Sequence, residues 1–76
     1  MEEQYSKERH LQTMREELEW IQRKTTDFKS FIDDPVLFNE RIKDIGQKRL
    51  AEKQLNAMVD YSLILSERIK YFEQND

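Results

Sequence analysis

From Leu11 to Ile32 the apolar positions recur at intervals of three and four, and that spacing constrains the fold more than any other feature of the chain. Leu11, Met14, Leu18, Ile21, Thr25, Phe28 and Ile32 form a seam held for three heptads, with Thr25 its only polar member. This is the period of a helix lying at a shallow angle on another helix. Ala51, Leu55, Met58, Ser62, Leu65, Ile69 and Phe72 repeat the same alternation. The two seams have nearly equal length and can close face to face. One glycine and one proline in 76 residues leave few breaks, which favours long helices over strands.

The segment between the seams carries its own signals. Asp33-Asp34-Pro35 stops the first helix, because proline removes an amide donor and restricts the residue before it. Asp34 can cap a new helix with Pro35 at its first position. Val36-Leu37-Phe38 is then a compact apolar knot suited to plugging one end of a helix pair. Asp44 and Gln47 have capping-box spacing, with Gly46 between them tolerating a bend. The first ten residues are polar and without a stripe, so fraying is expected there. The reading is one all-α domain over residues 1–76: an antiparallel two-helix hairpin of helices about 6–32 and 45–73, joined by a short connecting helix about 35–42.

A chain of this size stabilises itself only marginally with one core. With no cysteine and a single histidine, disulfides and a structural metal are closed to it, which leaves self-association. The second helix has the surface for it. Leu50, Ala57, Tyr61, Ile64 and Tyr71 form a stripe beside the seam, and Val59 and Leu63 lie on another side. Trp20 and Phe31 sit off the first seam. A lone hairpin would leave these residues wet, so a dimer or higher homo-oligomer packed through the helices is expected.

Charged residues make up 38% of the chain, with a net charge of −3, a balance that speaks against coating DNA or binding acidic membranes. Met1-Glu2-Glu3-Gln4-Tyr5 lacks the basic-then-apolar pattern of a secretion signal, and apolar runs such as Leu63-Ile64-Leu65 reach only three residues, far short of a membrane span. The absence of cysteine fits a reducing cytosol. His10 reads as a solvated residue, and neither a metal site nor a triad can be assembled around it. Without a glycine-rich loop or nucleophile elbow, no enzyme activity and no cofactor are expected.

Two groups of residues are candidates for binding. Arg41, Lys43, Lys48, Arg49 and Lys53 form a basic cluster diluted by Glu40, Asp44 and Glu52, readable as a solvated face or as an anion site. Gln54, Tyr61 and Arg68 are spaced by seven and line up beside the second seam. An amide, an aromatic ring and a guanidinium can hydrogen-bond, stack on and neutralise a nucleotide. Their apolar row mates Ala57 and Ile64 imply that the row is at least partly buried. The structural alternative is that Tyr61 and Arg68 satisfy each other or an acid across an interface.

The run Leu50-Ala51-Glu52-Lys53-Gln54-Leu55-Asn56-Ala57-Met58-Val59-Asp60-Tyr61, followed by Ile64-Leu65 and Arg68-Ile69, resembles a family of small phage proteins. Leu18 to Ile21 and Phe28 to Ile32 resemble the same family's first helix, so the likeness spans roughly residues 10 to 72. That family is similar to the helical hairpin of the phage anti-defence sponges, the anti-CBASS and anti-Thoeris proteins. The resemblance implies an oligomer in the host cytoplasm that sequesters a cyclic nucleotide immune signal without cleaving it. It implies a ligand at subunit interfaces, held by aromatic stacking and basic contacts. Gln54, Met58, Tyr61, Arg68 and Ile69 match the shared pattern; Ala51 stands where the pattern has a leucine.

The expected ligand-binding residues are therefore Gln54, Tyr61 and Arg68, with Arg49 and Lys53 from the basic cluster. Two alternatives stand beside this reading. One is an inhibitor that lays Trp20, Val59 and Leu63 on a host protein. The other is a purely structural coiled-coil module.

Overall fold

The computed structural model of the chain describes the backbone of residues 2–74 and the side chains of residues 7–74. These residues form three helices, α1 (Glu2–Asp33), α2 (Pro35–Arg41) and α3 (Ile45–Gln74), and the described residues contain no strand. Their principal extents are 55 × 14 × 14 Å.

The expected frayed start covers residues 1–10. Met1 lies outside the described residues, whereas Glu2–His10 belong to α1. The helix thus begins several residues before the expected position near residue 6. Glu, Gln, Lys and Arg there have high helix propensity, so the helix extends past its first seam residue.

Both heptad seams are the inward stripes. Met14, Ile21, Leu65 and Ile69 are buried together, with Leu11, Leu18 and Met58 packed against them. Leu65, at 2% exposure, is the most enclosed. Early residues of α1 meet late residues of α3: the His10 and Phe72 rings lie 5.3 Å apart, and Arg15 Nη2 reaches Glu73 Oε1 at 2.7 Å. The two hydroxyl-bearing seam residues are satisfied within their own helices. Thr25 Oγ1 donates to the Ile21 carbonyl at 2.6 Å and Ser62 Oγ to that of Met58 at 3.0 Å. Such back-bonding lets a polar side chain occupy an apolar stripe without an orphaned donor.

The connector follows its capping chemistry. Asp34 Oδ1 accepts from the amides of Val36 and Leu37 at 3.2 and 3.1 Å, with Pro35 opening α2. Phe38 is buried and meets Phe31 edge-on at 5.6 Å, and Phe31 in turn lies 6.2 Å from Phe28. Phe31, expected to be left wet, is therefore half-buried, covered by the connector. The apolar knot is only partly inward: Leu37 is half-buried and Val36 stays exposed.

At the start of α3, Asp44 Oδ2 accepts from the Gln47 amide at 3.3 Å, and the Lys48 amide donates to the Asp44 carbonyl at 3.0 Å. Gly46 makes no bend. It is the second residue of α3 and has no positive φ. The chain instead turns over Ile42–Asp44, where Ile42 is extended.

Candidate functional site

Residues seven apart on a helix are separated by about 10.5 Å of rise and share one side. Gln54, Tyr61 and Arg68 form such a row on α3, and His10, Glu17 and Lys24 form one on α1. The rows meet along one face of the helix pair. Glu17 acts on the Tyr61 hydroxyl and raises its pKa, and His10 and Arg68 line a common groove. Lys24 Nζ lies 5.9 Å from the centre of the exposed Trp20 ring, one turn beyond Glu17.

The groove encloses about 370 Å³ where the first part of α1 lies against the last part of α3. Met14 and Ile64 supply its apolar floor, while His10, Tyr71 and Phe72 supply aromatic walls. Arg68 and Glu67 are its charged lining residues, and Lys7 Nζ lies 5.5 Å over the Phe72 ring. A planar guanidinium among aromatic faces can pair with a phosphate and hold a flat heterocycle by stacking.

Tyr61 reports on the local charges. Its hydrogen bond to Glu17 raises its pKa above the ordinary value, helped by desolvation and the Glu17 charge, while the Arg68 charge pulls it down. Tyr61 thus feels the charges of both Glu17 on α1 and Arg68 on its own helix.

Of the residues expected from sequence, Tyr61 and Arg68 come together in this way. Gln54 is on the same row but about 21 Å along the helix from Arg68, outside the groove. The row is exposed within one chain rather than partly buried: Gln54, Ala57 and Arg68 are exposed, as are Tyr61 and Ile64. The reason is geometric. One neighbouring helix covers the seam and leaves both flanks open.

Arg49 and Lys53 are exposed and are not among the residues that line the groove, Lys53 lying 15 residues, about 22 Å of rise, before Arg68. The basic cluster is divided. Lys48 is half-buried, its ammonium donating to Asn39 Oδ1 at 2.7 Å, and so ties α3 to the connector.

Sequence reasoning passed over His10, Glu17 and Phe72 as site residues. His10-Glu17-Lys24 has the seven-residue spacing of Gln54-Tyr61-Arg68, and comparing the flanks of both seams would have paired the rows. A second groove, also about 370 Å³, opens on the other face between Gln22, Thr25 and Thr26 of α1 and Val59, Ser62 and Leu63 of α3. It has no charged lining residue.

Comparison with curated proteins and with solved structures gives no match. A family model does match, over residues 8–71, which takes in the first seam, the connector, the second seam but for Phe72, and all but that one of the groove's lining residues. The chain belongs to the Sequestin family.

Proposed function

We propose that the protein is a phage anti-defence sponge: an antiparallel helical hairpin that self-associates in the host cytoplasm, binds a cyclic nucleotide immune signal and withholds it uncleaved. The observation that carries this reading is the Arg68 groove, where one guanidinium stands among His10, Tyr71 and Phe72 over an apolar floor. These groups suit a phosphate and a base. The family's name accords with sequestration of a molecule.

Self-association is supported by surface area. The chain exposes 6412 Å², whereas a compact monomer of its 9.4 kDa mass exposes about 5,000 Å². Trp20, Tyr61, Ile64 and Tyr71 account for much of the exposed apolar surface on the groove face. A second copy laid there would cover them and close the open groove. In the alternative reading, Val59 and Leu63, 39% and 60% exposed on the other face, seat a host protein.

Size-exclusion chromatography with light scattering, run with cyclic di- and trinucleotides and followed by heating, tests the proposal. An oligomer that takes up a nucleotide and returns it intact is expected, with Arg68→Ala weakening uptake about tenfold or more. An oligomer that ignores every nucleotide overturns the ligand. A monomer that captures a host enzyme favours the inhibitor.

A further inference from the structure

A second line of α3 residues repeats the spacing of the buried seam beside it. Leu50, Gln54, Ala57, Tyr61, Ile64, Arg68 and Tyr71 alternate by four and three, and all seven are exposed. Apolar or aromatic members recur at every second position, the form of a coiled-coil contact with a further helix. Lys53, Asp60 and Glu67 run along one edge of the line, also seven apart and exposed. Charge along that edge changes from basic at one end to acidic at the other. Such an edge complements its own reversed copy.

We propose that α3 pairs antiparallel with α3 of a second copy along this line, so that Gln54 and Lys53 of the partner subunit complete the Arg68 groove. Full overlap of the two reversed lines centres the contact beside Tyr61. Gln54 and Arg68 lie seven residues to either side of it, about 10.5 Å each. Reversal therefore brings Gln54 of the partner subunit within about one turn of Arg68, and Lys53 of the partner subunit beside Glu67. A parallel pairing would instead set the two Arg68 guanidiniums against each other. In the reversed pairing Asp60 meets a like charge once, against two Lys53–Glu67 pairs. Each groove then gains an amide and a second cation near Arg68, Tyr71 and Phe72, a fuller set for a phosphate and a base. This rests on the self-association read above and specifies which groups cross between copies.

Charge exchange tests the pairing. Lys53→Glu, Glu67→Lys and the double variant are compared with the wild type by light scattering over a dilution series. Within one chain the two positions are about 21 Å apart along α3, so a rescue in the double variant reports contact between copies. Each single change puts two like-charged pairs in place of two opposite ones and is expected to weaken association about tenfold. The double variant restores both pairs and is expected to return to within about threefold of the wild type. Gln54→Cys and Arg68→Cys chains, refolded together and treated with a short bismaleimide, are expected to cross-link as the mixed pair alone, because the chain has no other cysteine. Singles without effect, a double variant as weak as the singles, no mixed product, or either cysteine variant cross-linking with itself overturns the antiparallel pairing while leaving self-association and sequestration standing. A wild type that stays monomeric at every concentration overturns both.

Discussion

Tyr61 of α3 and Glu17 of α1 are electrostatic neighbours across the helix pair, and both side chains are exposed. Ionising Tyr61 would set a phenolate against that carboxylate, so its folded-state pKa is raised. The sign follows: the contribution to stability is present at neutral pH and is lost as pH rises through the raised value, above the ordinary tyrosine pKa of about 10. In an ultraviolet titration of tyrosinate, Tyr61→Phe should remove a late-ionising component and Glu17→Gln should shift that component to lower pH. A late component that persists in Tyr61→Phe would assign it to another tyrosine.

Leu65 and Leu63 are two residues apart and should respond very differently to truncation. Leu65→Ala empties the most enclosed position of the seam and is expected to cost about 2–5 kcal/mol. Leu63 is 60% exposed, and Leu63→Ala should change the stability of the single chain by no more than about 0.5 kcal/mol. Urea denaturation at several protein concentrations measures both. A large, concentration-dependent loss in Leu63→Ala would locate a subunit interface on that face.

Arg15 and Glu73 form the one ion pair between α1 and α3 seen among the described residues, at 2.7 Å, with side chains 52% and 44% exposed. Exposed pairs of this kind contribute little. A double-mutant cycle should give a coupling below about 1 kcal/mol that vanishes in high salt. A coupling that withstands salt would show the pair shielded by another subunit.

Asp34→Ala removes the acceptor that caps α2 and should cost about 0.5–2 kcal/mol. Asp34→Asn, which retains an acceptor oxygen, should recover most of that loss in the same thermal melts.

The seams were legible because burial along a helix repeats at intervals of three and four. Met14, Ile21, Leu65 and Ile69 could be named from spacing alone. The Asp34 and Asp44 caps were equally readable, since a cap acts over two or three residues. The site was less so. Arg68 and Tyr61 stood out by residue type, but Glu17 and His10 acquire their neighbours from the offset between α1 and α3, and no short segment of sequence states that offset. Phe31 was misjudged for the same reason, because its cover comes from Phe38 on another helix.

The seam is one layer of side chains thick, and that layer separates the two faces. Met14 floors the Arg68 groove, while Thr25 and Ser62 line the groove on the other side. A bulkier residue in the seam has only two directions in which to displace its neighbours, toward one face or the other. The two faces share a single wall, so a substitution chosen to reshape one is also felt at its back.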